Sequence, residues 1–371
     1  MEQGTAPKRA TFPQVNEEDL VAASHTSTTA PTGAPTTGEA GASPPPFGTV
    51  AAPRMVVSAA RDGVFGPPEL VATTELSLHP FAHVLHYGSA CFEGLKAHRG
   101  HDGAVRLFRH GRHVERMRRT AELLLLPQPP ADLLGEAIEQ VVTGNLDVAP
   151  EPPGALYVRP MIFGTEANIG AAAAPSRHAQ LVVVASPVGD YFAGGGRALR
   201  LLVETDLPRT TPQFGEAKAG ANYVMALGVT RGAAAEHGVD QVLFAPGGAV
   251  QETGAANFLL VDDDRVVTRA LDSSFLHGVT RDSVLTLAAD LGYQVEERQI
   301  TVEELVSWRG EAALAGTAAV LAGVGTLVHE GREITVGDGQ VGPNTTRLRD
   351  ALVAIQQGTD EDRHGWLTPV C

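Results

Sequence analysis

The sequence predicts a mixed α+β or α/β fold in two domains, and three observations carry that reading. Its 371 residues are enough for two ordinary domains, each with its own core. Strand-like apolar runs alternate with stretches of helical periodicity in both halves. Between the halves lies Pro187-Val188-Gly189-Asp190-Tyr191-Phe192-Ala193-Gly194-Gly195-Gly196, a stretch loaded with turn formers. No internal repeat is present. The domains are expected over 47–186 and 213–371, with a connection over 187–212.

The elements follow in order. Residues 1–46 are rich in Ala, Thr, Pro, Gly and Ser and end in Ser43-Pro44-Pro45-Pro46. Such a segment buries too little apolar surface to offset its ordering entropy, so it is expected to be a disordered tail, with Lys8 solvated in it. From Phe47 the character changes. One helix is expected over His110–Leu126 and another over Asp132–Thr143, where Leu134, Ala137, Ile138, Val141 and Val142 share a face. Strands are expected at Ala155–Ile162 and Gln180–Ser186. In the second half, strand signals sit at Leu199–Glu204, Gln241–Phe244 and Phe258–Thr268, the last bent at Asp262-Asp263-Asp264. Helix signals run from Asn222 to His237, stopped by Gly238, and from Thr280 to Leu291, stopped by Gly292. Thr301-Val302-Glu303-Glu304 is a capping-box pattern that opens one more short helix.

Composition narrows the function. Hydrophobic residues make up 43% and charged residues 19%, a globular balance. No apolar run approaches the roughly 20 residues of a membrane helix, and no basic-then-apolar leader opens the chain. The two cysteines, Cys91 and Cys371, make no disulfide framework and fit a reducing cytoplasm, the expected location. A net charge of −15 argues against nucleic acid as a partner.

The basic residues hold a sharper signal. Only three are lysines, Lys8, Lys96 and Lys218; the other 25 are arginines. A surviving lysine raises the question of what arginine cannot do there. An ε-amine loses its proton and attacks a carbonyl, whereas a guanidinium does not. Lys218 lies just before a helix, in Gly215-Glu216-Ala217-Lys218-Ala219-Gly220-Ala221-Asn222-Tyr223, among small residues that let a bulky group approach. A solvated loop lysine is the plain alternative to an activated amine.

Other motifs are weaker alone. Leu276-His277-Gly278-Val279-Thr280 leads a glycine turn into a helix, whose free N–H groups suit a phosphate. Gly316-Thr317-Ala318-Ala319 is a second small-residue turn after a strand. Glu252 precedes an apolar strand; it is either a solvated turn carboxylate or, beside a pyridine ring, the group that keeps the ring nitrogen protonated. The absences also count: there is no Gly-Lys pair for a P-loop, no Gly-x-Ser-x-Gly elbow and no Cys-x-x-Cys. His79, His83 and His86 resemble metal-ligand spacing, but Pro80 follows the first and the stretch reads as loop or strand, so no metal is expected.

Taken together, these residues resemble a branched-chain aminotransferase of the pyridoxal-phosphate fold type IV superfamily. The resemblance runs from Phe47 to Leu367. Its most specific pieces are His86-Tyr87 with Phe92-Glu93-Gly94-Leu95-Lys96-Ala97, Val105-Arg106-Leu107-Phe108-Arg109, Tyr157-Val158-Arg159-Pro160, Lys218 through Tyr223, and Gly278-Val279-Thr280-Arg281. It implies a small N-terminal α/β domain and a larger C-terminal mixed, barrel-like domain with helices. It implies pyridoxal 5′-phosphate as cofactor, and transfer between leucine, isoleucine or valine and 2-oxoglutarate. Lys218 would carry the cofactor and move the substrate proton, Tyr223 would meet the phenolic oxygen, and Glu252 the ring nitrogen. Arg116, Val279, Thr280 and Thr317 would hold the phosphate. Phe47, Tyr87, Tyr157, Arg159, Ile169, Ala171, Tyr191 and Ala318 would form the substrate side, with Tyr87, Ile169 and Ala171 arriving from the neighbouring subunit of a homodimer.

Two relatives on the same fold remain as alternatives, a D-amino-acid or other aminotransferase and an aminodeoxychorismate lyase; Tyr157-Val158-Arg159 and the long first domain favour the branched-chain reading. A non-catalytic scaffold would be expected to have lost Lys218, Glu252 or Arg116, and all three are present.

Overall fold

The computed structural model describes residues 47–189 and 196–370. The tail expected over 1–46 and the expected substrate residue Tyr191 lie outside the described residues.

In chain order the first half contains β1 (Arg54–Arg61), β2 (Val64–Phe65), β3 (Glu69–Ala72), α1 (His83–Tyr87), β4 (Ala90–Phe92), β5 (Leu95–Arg99), β6 (Val105–Phe108), α2 (His110–Leu123), α3 (Ala131–Thr143), β7 (Ala155–Gly164) and β8 (Ala179–Val188). The second half contains β9 (Leu199–Glu204), α4 (Gly220–His237), β10 (Gln241–Phe244), β11 (Asn257–Val261), β12 (Arg265–Thr268), α5 (Val279–Asp290), β13 (Gln294–Glu297), α6 (Val302–Ser307), β14 (Glu311–Gly316), β15 (Val320–His329), β16 (Arg332–Thr335), α7 (Pro343–Gln356) and β17 (Leu367–Pro369).

Two sheets result. The first runs β17-β6-β5-β7-β8-β1-β2, with β3 on β1 and β4 on β7. The second runs β10-β9-β15-β14-β11-β12-β13, with β16 on β15. The core of the first sheet is built by the face read from sequence on α3: Leu134, Ala137, Ile138, Val141 and Val142 are all buried in one cluster with Val56, Leu156 and Leu181. Each Leu, Ile or Val side chain among them contributes about 1.5–3 kcal/mol on leaving water, before ordering costs. In the second half, α5 and α7 pack Val284, Ala288, Leu348 and Leu352 against Leu259, Ala313 and Leu321 of the sheet.

Several boundaries differ from the sequence reading. The stretch expected as one bent strand over Phe258–Thr268 is a hairpin, β11 and β12 paired antiparallel across the three aspartates. Asp262 accepts from the backbone N–H groups of Asp264 and Arg265 and so closes that turn. The segment around His83, read as loop or strand, is the short helix α1, ended by Gly88 in the left-handed region at φ 62°. β9 forms at the expected Leu199–Glu204, within the span expected as the connection, and pairs in parallel with both β10 and β15. The last strand, β17, crosses back to pair with β6 of the first sheet. The capping box holds as read, with the Thr301 side chain accepting from the Glu304 N–H. α4 stops at Gly238, φ 61°.

Candidate active site

Lys218 sits immediately before α4, and its position is fixed by neighbours more than by its own contacts. The buried Asn222, in the first turn of α4, donates to the carbonyls of Phe214 and Ala217 and accepts from the Thr210 hydroxyl. That ties the loop carrying the lysine to the helix that follows it. The Lys218 backbone donates to the Thr120 hydroxyl of α2, and its carbonyl accepts from the Phe92 N–H. Its ammonium nitrogen lies 2.8 Å from the Tyr223 hydroxyl, five residues along the chain. The same nitrogen lies 5.0 Å from the centre of the Phe92 ring.

A cavity beside the lysine is lined by Arg116, Lys218, Glu252, Asn257, Gly278, Val279, Thr280 and Thr317. Seven of the expected cofactor residues therefore converge, six on the cavity wall and Tyr223 through its bond to Lys218. Glu252 is 2% exposed. One of its oxygens accepts from the Leu276 N–H at 2.9 Å and pairs with Arg209 at 2.8 Å; the other accepts from Asn257 at 3.1 Å. Burial pushes this carboxyl above the usual range, opposed by the charge of Arg209 and by the Leu276 N–H.

Gly278 caps α5, and a Cβ there would stand 1.9 Å from the Asn257 side-chain oxygen, so any other residue must displace Asn257. The first-turn N–H groups of α5, at Val279 and Thr280, have no intrahelical acceptor by helix geometry, and both residues line the cavity. The turn between β14 and β15 is strained, because Val320 adopts φ 59°, a region a β-branched side chain avoids. That strained turn presents Thr317 and Ala318.

Arg116 lines the cavity and is also gripped from behind by protein partners. Its Nε and one terminal nitrogen grip the two Glu93 oxygens at 2.6 and 2.9 Å, and its other terminal nitrogen donates to the His277 carbonyl. A guanidinium has five N–H donors, so these three bonds leave one on each terminal nitrogen for an anion. Glu93 is fully buried and also accepts from His113 at 2.6 Å. Burial alone would raise its pKa; Arg116 and His113 overcome that and hold the carboxyl well below the usual range.

The substrate-side residues form a second cluster joined to the first through Phe92. Tyr157 and Arg159 point to one face of β7, as alternate residues of a strand must. The Arg159 guanidinium donates to the Tyr157 hydroxyl at 2.8 Å and lies 4.6 Å from the centre of the Phe92 ring. Phe47 meets Tyr157 edge-on with ring centres 5.0 Å apart. The structure does not bring Tyr87, Ile169 or Ala171 into this cluster. The Tyr87 hydroxyl donates to the Ile169 carbonyl, and those two residues are 36% and 50% exposed. The three histidines of the metal-like spacing have protein partners: His83 bonds Ser89 and the Ala174 carbonyl, His86 the Pro80 carbonyl, and His79 the Phe81 N–H.

A family profile described as Amino-transferase class IV matches residues 90–325. The chain belongs to the class IV aminotransferase family. It is 38% identical to a probable branched-chain-amino-acid aminotransferase of Streptomyces coelicolor over 81% of this chain and 85% of that one. It is 38% identical to the branched-chain-amino-acid aminotransferase of Mycobacterium tuberculosis over 79% and 83%. Among solved structures, the Escherichia coli branched-chain amino acid aminotransferase superposes with a TM-score of 0.70 at 30% identity, covering 86% of this chain and 100% of that one. A T.th. branched-chain amino acid aminotransferase, solved with pyridoxamine 5′-phosphate, superposes with a TM-score of 0.71 at 29% identity, covering 86% and 99%.

This class IV aminotransferase uses pyridoxal 5′-phosphate, and its residues fit that group. An amine, a phenol, a buried carboxylate and a cradle of N–H donors surround one cavity, which is the donor set an aromatic phosphate needs. The cofactor supplies an electron sink for the carbanion formed at the substrate's Cα. Lys218 would hold it and Glu252 would keep its ring nitrogen cationic. Arg116, Val279, Thr280 and Thr317 would hold its phosphate. Sequence reasoning missed four supporting residues of this aminotransferase site. They are Glu93, which grips Arg116; Arg209 and Asn257, which grip Glu252; and Phe92, which joins the two clusters. Glu93 and Phe92 lay inside a motif already noted; Arg209 gave no local signal.

Proposed function

We propose that this aminotransferase moves the amino group between leucine, isoleucine or valine and 2-oxoglutarate, yielding branched-chain 2-oxo acids and L-glutamate. The observation that carries the reading is the wall of Phe47, Phe92 and Tyr157 with Arg159 as the cation among them. An apolar wall favours aliphatic side chains at about 0.8 kcal/mol per methylene removed from water. Glutamate's distal carboxylate cannot enter such a wall unpaired, and Arg159 is the group to receive it. The Thr317–Ala318 turn takes the α-carboxylate. Lys218 moves the proton at the substrate's Cα, with the Tyr223 hydroxyl holding its amine in place.

The working unit in this reading is a cytoplasmic homodimer in which Tyr87, Ile169 and Ala171 complete the partner's substrate pocket, with Tyr191 kept among the substrate-side residues. Exposed apolar residues support it: Phe81, Leu85 and Ile169 on one edge, and Val224, Met225 and Leu227 on α4 beside the lysine. The domains are taken as 47–186 and 213–371, with β9 of the connection between them joining the second sheet. The deciding experiment offers the purified enzyme a panel of amino donors with 2-oxoglutarate. Leucine, isoleucine and valine are expected to lead; a preference for D-alanine, or pyruvate release from aminodeoxychorismate, rejects the assignment. In the Lys218→Ala protein, transfer is expected to fall by at least about 10³-fold with circular dichroism unchanged.

A further inference from the structure

Arg209 follows β9 and stands where two parts of the site meet. It is buried, and its terminal nitrogen Nη2 lies 2.8 Å from Glu252 Oε1 and donates to the Gly215 carbonyl at 2.9 Å. Gly215 begins the loop that leads to Lys218, and packing fixes it in place. A Cβ there would stand 2.0 Å from the Ser274 carbonyl carbon, and the next N–H, of Glu216, donates to the Ser273 carbonyl. The Gly215 carbonyl therefore anchors the guanidinium, and the charge is held at Oε1 rather than free to swing.

The charge on Glu252 depends on that contact. A buried carboxyl with no cation beside it takes up a proton rather than stay ionised. The cations that act on Glu252 are Arg209, Lys218 and Arg116. Arg116 has a carboxylate of its own, Glu93, which it grips with two nitrogens. Lys218 has to release its proton to act as an amine. Arg209 pairs with no other acid among the described residues, and a guanidinium keeps its charge at any working pH. Its Nε has no partner among the described residues, so it is buried at a cost that an apolar side chain would avoid. The contacts also distinguish the two carboxyl oxygens. Oε1 is met by the Leu276 N–H and by Arg209, whereas Oε2 is met by Asn257 alone and has a lone pair to offer.

We propose that Arg209 is the positioning residue that decides where the proton shared by Glu252 and the cofactor's ring nitrogen rests. With the guanidinium at Oε1, Glu252 stays a carboxylate and Oε2 accepts the ring N–H. Without that charge the same proton sits on Oε2 and the ring nitrogen is neutral; no other bond forms or breaks. Arg209 acts only through Glu252 and touches no reacting atom. The proposal rests on the reading of Glu252 as the partner of the ring nitrogen; the effect of Arg209 on the carboxyl itself does not.

Two measurements test it. In apoenzyme with carbon-labelled glutamate carboxyls, the Glu252 signal is assigned by its loss in Glu252→Gln. Arg209→Gln, which keeps a donor but not the charge, is expected to raise the proton affinity of Glu252 by at least about tenfold, read from the pH at which its signal titrates. Arg209→Lys, which keeps the charge, should stay near the wild type. In holoenzyme loaded with pyridoxal phosphate labelled at the ring nitrogen, the nitrogen signal is expected at its protonated position in the wild type and in Arg209→Lys. In Arg209→Gln it should move toward the unprotonated position, with circular dichroism unchanged. A wild-type signal in Arg209→Gln, in either measurement, overturns the proposal. So does an Arg209→Lys signal that moves as far as that of Arg209→Gln, since the residue would then be a brace and not a charge. Where the Gln variant does not fold, an unprotonated ring nitrogen in the wild type or in Arg209→Lys still overturns it. Glu252→Gln separates the two readings. If its ring signal stays protonated, Glu252 is not the ring partner and that reading fails; if its signal moves while that of Arg209→Gln does not, the proposal for Arg209 fails alone.

Discussion

Two buried charges behind the visible site, Glu93 and Arg209, set the chemistry available to Arg116 and Glu252, and the first has a measurable consequence. Glu93 has its folded pKa held below the unfolded value of 4.5 by Arg116 and His113. A depressed carboxylate stabilises the fold above its unfolded pKa and loses that contribution as pH falls toward the folded value. The wild-type protein is therefore expected to lose stability on acidification below about pH 4.5. Glu93→Gln should cost about 3–5 kcal/mol at pH 7, because it strands the Arg116 guanidinium, and should flatten that acid limb; urea midpoints measured from pH 3 to 7 read both effects. Arg159 makes a second prediction at this scale. Arg159→Met is expected to slow the glutamate half-reaction by about 10²-fold while changing the leucine half-reaction severalfold, read by single-turnover kinetics on each; equal losses would remove its selective role. The lysines and Glu252 were legible in the sequence because a scarce residue type or a motif marked them. Arg209 was not, since one arginine among 25 carries no signal until folding places it 2.8 Å from a buried carboxylate.

At the level of elements, the cradle depends on a close approach between the start of α5 and the loop before β11. Asn257 bridges them, donating to Glu252 and to the Leu276 carbonyl. Gly278→Ala would drive a methyl to 1.9 Å from the Asn257 side chain, so Asn257 must leave Glu252. The variant is expected to fold and to bind pyridoxal phosphate at least about tenfold more weakly, measured by fluorescence titration of the apoenzyme; unchanged affinity would show that the approach is not needed. Helices with one apolar face, such as α3, could be read from periodicity because packing alone sets them. The five residues of α1 could not, since a single turn shows no period, and it rests on hydrogen bonds to residues about 80 to 90 positions further on, from Tyr87 to Ile169 and from His83 to Ala174. The β11–β12 turn escaped notice for a related reason: three aspartates read as a bend, and the pairing that makes them a hairpin is a matter of register.

For the molecule as a whole, the sharpest expectation concerns assembly. If Tyr87 serves the partner's pocket, Lys218→Ala and Tyr87→Ala chains should each give inactive homodimers. Mixing them under exchange should restore one intact site in every mixed dimer, and so about a quarter of wild-type specific activity at statistical exchange. No recovery after exchange has been verified by mass would place Tyr87 in its own chain's site. The return of β17 to β6 bears on how such a molecule can move. Leu367, Thr368 and Pro369 pair with Phe108, Leu107 and Arg106, while Trp366 packs edge-on against Phe108 and lies under the Arg109 guanidinium. β17 thus adds a backbone clasp to the bonds that already cross between the halves at the site, from Phe92 to the Lys218 carbonyl, from Lys218 to Thr120 and from Arg116 to the His277 carbonyl. Parting the halves at the site has to break those bonds one after another. The molecule is closed there like a zip, not hung like a door.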